Sequence, residues 1–113
     1  MSIILFSHLL NVLVAGGFGV LLLLNAPSMT TVYGAATPAR GILASIYLSI
    51  AAASVCALLF PAYSIAIATV LFPLQILYKL STVLTVGSIM HPVVVSNLLI
   101  SVVHAISLFV IFR

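Results

Sequence analysis

Residues 3–24 read IILFSHLLNVLVAGGFGVLLLL, and residues 25–27, Asn25-Ala26-Pro27, bring that run to a stop. Twenty-two residues rising about 1.5 Å each span about 33 Å as a helix, enough to cross the roughly 30 Å hydrocarbon core of a bilayer. Proline lacks the N–H that would continue the helix and restricts the residue before it. The run resembles a secretory leader only superficially. No Lys or Arg precedes it, it exceeds a leader's apolar core, and no A-x-A site follows. It is expected to be a retained first span.

The rest of the chain repeats the pattern. Residues 28–40 are the most polar stretch, with Gly34 and Pro38 as breaks and Tyr33 and Arg40 suited to the headgroup level. Thr37-Pro38 predicts an N-cap followed by proline at the first helical position. A second span is expected over 38–60, a third over 62–86 with Pro73 inside it, and a fourth over 93–112, with breaks at Pro61, Gly87-Ser88 and His91-Pro92. Four spans joined by short links predict an all-α, integral membrane up-down four-helix bundle in a single domain, with both termini on one side.

Composition agrees. The 113 residues include no Asp and no Glu, and only Arg40, Lys79 and Arg113 carry a permanent charge. Mean hydropathy is +1.53. Charged residues make up 3% of the chain, against about 25% in soluble domains, so its solvent is lipid. Three cations are too sparse for a nucleic-acid footprint. The lone Cys56 cannot form an internal disulfide and is expected to pack as a small apolar residue. The positive-inside rule points to the Arg40/Lys79 face as cytoplasmic.

Within lipid, small residues mark where helices approach one another. The first span offers Ala15, Gly16 and Gly19, and the second offers Ser45-x3-Ser49-x3-Ala53, a ridge expected to face protein. Polar residues fall in stripes: Asn97, Ser101 and His104 in the fourth span, His8 and Asn11 in the first, and Gln75, Lys79 and Thr82 in the third. Each such group in hydrocarbon needs a partner. Three stripes on three helices are expected to converge on the bundle interior.

Two constellations invite a functional reading. His8 and His104 lie near the two termini and hence at matched depth. Together they are candidate axial ligands for haem, or one of them could hold the magnesium of a chlorophyll; otherwise they are hydrogen-bonding residues of the interior. Lys79 is expected to extend its ammonium to the headgroups. Alternatively it turns inward beside Gln75 to serve an anion, a quinone carbonyl or a proton. Thr85-Val86-Gly87 lacks the remainder of a potassium-channel filter, and Met90-His91 supplies too few ligands for copper. No Ser-His-acid set or phosphate-binding loop is present, so no enzymatic activity is expected.

The strings Tyr33-Gly-Ala-Ala-Thr-Pro-Ala-Arg-Gly-Ile-Leu-Ala-Ser-Ile-Tyr47, Phe72-Pro-Leu-Gln-Ile-Leu-Tyr-Lys79, His91-Pro-Val-Val-Val-Ser-Asn97 and His104-Ala105 resemble small four-span bacterial membrane proteins of DoxX-like layout. That resemblance implies a four-helix bundle in a bacterial inner or intracytoplasmic membrane, with links to quinone-dependent redox complexes. It transfers no catalytic residue. The expected role is a non-catalytic accessory subunit of a larger respiratory or photosynthetic complex, with lipids and other membrane subunits as partners. The alternatives are a carrier or pore for a small or lipophilic solute, and a haem, chlorophyll or quinone binder.

Overall fold

The computed structural model describes residues 2–113. Five helices follow one another: α1 (Ile3–Leu23), α2 (Pro27–Tyr33), α3 (Pro38–Leu59), α4 (Ser64–Val86) and α5 (Pro92–Phe112), with a 3-10 turn, Pro61–Tyr63, leading into α4. Four of them are long and apolar enough to cross a membrane. The molecule measures 41 × 27 × 20 Å, so its long axis exceeds the roughly 30 Å of bilayer hydrocarbon. It is a multi-pass membrane protein built as an up-down helical bundle.

Local chemistry sets the helix ends. Ser2 accepts from the backbone N–H of Leu5 and Thr37 from that of Arg40, the capping pattern of a hydroxyl ahead of a helix. Proline occupies the start of α2, α3 and α5, where its missing N–H removes no helical bond. The α4 helix ends on Gly87 at φ +76°, the left-handed cap that glycine adopts without a Cβ penalty. It runs unbroken through Pro73, which lies on the exposed face.

The most extensive packing joins α1 to α3 and α4 to α5, and α1 to α5 and α3 to α4 close the ring. Gly16 and Gly19 sit at the α1/α3 contact. A Cβ on Gly19 would stand 2.9 Å from the Leu48 side chain and 3.3 Å from its backbone nitrogen, and one on Gly16 would touch Ala51 at 3.4 Å. Gly17, one position away, faces open space. Gly19→Val is therefore expected to force α1 and α3 apart and to cost about 1–3 kcal/mol, the usual penalty of overpacking. Gly17→Val should leave stability unchanged within about 0.5 kcal/mol. Unfolding by detergent titration, followed by circular dichroism, separates the two; equal effects would mean that the α1/α3 approach does not depend on Gly19.

The Ser45-Ser49-Ala53 ridge does not face the bundle. Ser45 and Ser49 are exposed and Ala53 is half-buried; the buried face of α3 is instead Arg40, Ala44, Tyr47, Ala51 and Ser54. The two faces differ by one residue, about 100° of helical rotation. Tyr47 and Ser54 carry hydroxyls that find partners on other elements. Ser45 donates to Gly41 O at 3.2 Å and Ser49 to Ser45 O at 2.8 Å, so both are satisfied within their own helix and can face lipid. Cys56, expected inside a helix as a packing residue, is also exposed.

The polar stretch 28–40 contains α2, a helix too short for periodicity to reveal. Its Met29 is buried against Ala15, Leu22, Ala44, Tyr47 and Ile50, which folds α2 over one end of the bundle. Arg40 holds it there. The guanidinium, 6% exposed, donates to Gly34 O at 2.8 Å and to Thr30 Oγ1 at 3.4 Å, and its other nitrogen donates to Asn25 Oδ1. One planar fork thus ties the end of α1, the body of α2 and its C-cap together. Gly34, at φ +85° and ψ −172°, occupies a region open essentially to glycine alone.

Candidate functional site: a polar interior around Lys79

The bundle gathers its polar side chains inside, among apolar ones, and presents large apolar side chains outside. His8, Asn11, Gln75, Lys79, Asn97, Ser101 and His104 are all buried, as are Ser7, Ser54, Ser64 and Ser107, whereas Leu13, Leu77, Leu84 and Leu99 are exposed. Apolar packing against lipid-like surfaces contributes no net hydrophobic drive, so hydrogen bonds and close contacts hold such helices together.

Asn11 is the hub. Its Nδ2 donates to Ser54 Oγ at 3.0 Å and to Gln75 Oε1 at 2.8 Å, and its Oδ1 accepts from Gln75 Nε2 at 3.0 Å. His104 Nε2 lies 3.1 Å from the same oxygen. An amide oxygen only accepts, so His104 carries its proton on Nε2. All four bonding positions of the Asn11 side chain are then filled. His8 Nε2 lies 3.1 Å from Ser64 O, which also only accepts, so this nitrogen donates too. In the neutral ring, His8 Nδ1 then accepts from Ser54 Oγ, 3.2 Å away. The result is a directed chain linking α5, α1, α3 and the start of α4. It is not a proton relay, because the Asn11 and Gln75 amides have no readily exchanged proton to pass on.

The two histidines lie at matched depth with Phe72 between them. The Phe72 ring stacks on His104 at 4.4 Å and 8°, and sits 4.8 Å from His8. Phe72 is 0% exposed. Axial ligation of a tetrapyrrole needs ring nitrogens aimed into an open slot. Here a phenyl ring fills the slot and both nitrogens of His8 are engaged, so His8 and His104 do not fit as paired axial ligands of a haem. Among the described residues no cluster of three or more metal-ligating side chains occurs. The alternative expectation, hydrogen bonding within the interior, describes His8 fully and His104 at one nitrogen. His104 Nδ1 and the nearby Ser101 Oγ are buried without partners among the described residues.

Lys79 does not reach for the headgroups. It is 4% exposed and donates to Asn97 Oδ1 at 3.1 Å. Asn97 Nδ2 in turn donates to Thr82 Oγ1 at 3.1 Å, and Thr82 donates to Lys79 O at 2.5 Å. This cycle pins Asn97 with its oxygen towards the ammonium, and that is what turns the lysine inward. The Tyr78 ring lies 5.0 Å from Nζ, within cation–π range. An ammonium has three donors, and one bond to Asn97 leaves two.

Lys79 also borders open space. A cavity of about 90 Å³ is walled by Asn11, Phe18, Tyr33, Tyr47, Lys79 and Asn97. The Tyr33 and Tyr47 hydroxyls are 3.1 Å apart, and both rings also line a wider vestibule of about 300 Å³ bordered by Tyr78, Thr82 and His91. Burial, reinforced by the facing Tyr47 hydroxyl, keeps the Tyr33 phenol protonated well above its usual range. The tyrosine pair is thus a polar border shared by vestibule and cavity.

Sequence reasoning gathered the Asn97/Ser101/His104, His8/Asn11 and Gln75/Lys79/Thr82 stripes, and the structure buries all of these residues except Thr82, which is half-buried. It missed Ser54, Ser64, Phe72, Ser107 and the tyrosine pair. Ser107 extends the α5 stripe by three residues, and Ser64, Ala68 and Phe72 extend the Gln75/Lys79 row backwards by helical spacing, so both signals were present. No protein-family model, curated protein or solved structure matches the chain.

Proposed function

We propose that this membrane protein binds, without catalysis, a small or lipophilic molecule through an oxygen-acceptor head seated against Lys79. The observation that carries this reading is a buried ammonium with two unfilled donors on the wall of a cavity, in a chain with no carboxylate to neutralise it. Taking a charge out of water is costly unless it is paired, and only a partner from outside the chain can supply that pairing. An anion or a quinone carbonyl has the required chemistry. Phe72 and the Asn11/Gln75 amides fill the section beyond the cavity, which favours a blind pocket over a pore.

The chain has no tryptophan and four tyrosines, and Tyr33, Tyr47 and Tyr78 surround the cavity or its vestibule. Tyrosine fluorescence of the purified protein is therefore a direct reporter. Titration with a medium-chain carboxylate or a short-chain quinone should change it saturably, and Lys79→Met should weaken the apparent affinity at least about tenfold, or 1.4 kcal/mol. An identical response in both proteins would remove the reading.

The exposed Ser45/Ser49 face of α3 favours a second reading, a small accessory subunit of a larger membrane complex. Small residues on a lipid-facing helix permit close approach by another helix. Purification from native membrane should then recover stoichiometric partner chains, and a lone monodisperse monomer would sink the idea.

A further inference from the structure

The cavity beside Lys79 has room for a compact head of a few heavy atoms and no more. It does not stand alone. On the lipid-facing side of the seam between α1 and α5 runs a groove of about 480 Å³, lined by Phe6, Leu10, Val14, Ser96, Leu99 and Val103 among others. Val14, Pro92, Ser96 and Ile100 line both spaces, so the groove begins where the cavity ends. Its α1 wall, from Phe6 to Val14, follows the helix for about 12 Å. Ser96 is the one hydroxyl among its lining side chains. A larger apolar groove of about 580 Å³ lies between α3 and α4, around Cys56, Phe60, Val70 and Leu74, and it shares no lining residue with the cavity.

We infer that the occupant is a single-chain carboxylate amphiphile entering sideways from the bilayer, with its carboxylate on Lys79 and its hydrocarbon chain in the α1/α5 groove. The inference rests on the reading of Lys79 as a head-group site and adds the head's charge, the tail and the route. Charge complementarity selects the head. The ammonium has no acid to pair with, and a neutral carbonyl would accept a hydrogen bond but leave the charge uncompensated. Two spaces adjoin the cavity, and lining selects between them: the α1/α5 groove is apolar but for Ser96, whereas the vestibule is bordered by Tyr33, Tyr47, Tyr78, Thr82, His91 and Asn97. The hydroxyls of Tyr33 and Tyr47, 3.1 Å apart, give the vestibule side a polar border that a hydrocarbon chain would desolvate. A chain moving from lipid into a lipid-facing groove gains little hydrophobic free energy, so the head supplies the affinity and the seam fixes the direction.

The test is photolabelling of the full-length protein in nanodiscs with a long-chain carboxylate carrying a mid-chain diazirine, mapped by peptide mass spectrometry. Adducts should concentrate on Phe6, Leu10, Leu99 and Val103. Unlabelled carboxylate should compete at least about tenfold better than its methyl ester or a prenyl quinone, a difference of about 1.4 kcal/mol. Lys79→Met should remove the concentration of adducts while its circular dichroism stays helical. Val103→Phe, which fills the groove at a residue that does not line the cavity, should also disperse the adducts yet keep the tyrosine response to a short-chain carboxylate. Adducts centred on Phe60, Val70 and Leu74, or spread evenly, overturn the tail assignment. Equal competition by the ester, or stronger competition by the quinone, overturns the carboxylate. If the Lys79-dependent tyrosine response persists in those cases, the head site stands and this inference alone falls. If that response is absent as well, both fall.

Discussion

Asn11→Leu should destabilise the bundle by about 2–5 kcal/mol, the largest loss expected from a single polar substitution in this chain. The replacement is close in size and adds apolar surface, so on volume alone it should be mild. Its cost lies in what it strands. Gln75 loses a partner at both its oxygen and its nitrogen, and His104 Nε2 loses its acceptor. Gln75 is 1% exposed and His104 0%, so water cannot replace Asn11. Each stranded group costs about 1–3 kcal/mol in a protein interior. Membrane bundles lie towards the lower part of that range, because the unfolded chain in lipid also finds partners. The double variant Asn11→Leu/Gln75→Leu removes both halves of the amide pair and should be less damaging than the sum of the two single changes, by about 1–3 kcal/mol. Detergent-titrated unfolding of the four proteins measures this coupling. Additive effects, or a loss below about 0.5 kcal/mol for Asn11→Leu, would show that the amide pair does not hold the helices together.

The same physics explains which parts of the fold the sequence disclosed. Helix boundaries were legible because Pro27, Pro38, Pro61, Gly87 and Pro92 act through local backbone chemistry. The interior was legible through its polar residues, because in lipid a polar side chain has one good place to go. Apolar and small residues carry no such instruction, since they pack against lipid as readily as against another helix. That is why the Ser45/Ser49 ridge was assigned to the wrong face, with Ala44, Ala51 and Ala57 offering an equally small one. It is also why Phe72 passed unnoticed in a row of helix-spaced residues, although its place between two imidazoles closes the slot a tetrapyrrole would need. The inward turn of Lys79 was hidden for a different reason. A lysine about two turns from a helix end can reach either water or the core, and what decides is Asn97 on another helix. The α2 helix depends on Arg40 reaching three separate backbone neighbourhoods, a tertiary arrangement with no period to read.

Lys79→Met should leave the ligand-free protein as stable as before, or more stable by about 1–4 kcal/mol, while abolishing stabilisation by ligand. Removing one member of a buried ion pair ordinarily does the opposite, because it strands the other charge. Here no acidic side chain exists to be stranded. The chain has no Asp or Glu, and the one side chain that loses a donor, Asn97, keeps its bond to Thr82. Methionine is unbranched and apolar, so it can follow the path of the lysine stem and leave the buried wall of the cavity uncharged. In the unsubstituted protein, a ligand at about 100 times its dissociation constant should add about 2.7 kcal/mol, and in Lys79→Met it should add almost nothing. The opposite pairing, a destabilised Lys79→Met whose ligand response is intact, would place the importance of Lys79 in its bond to Asn97 and make it a structural residue. The two outcomes differ in sign for the ligand-free protein, so melting curves with and without ligand decide between them even if the affinity is weak. A stabilising substitution at a buried lysine would also identify what the missing acids imply: the fold carries an uncompensated charge at a cost in stability, and that charge has a use only when something from the membrane arrives to meet it.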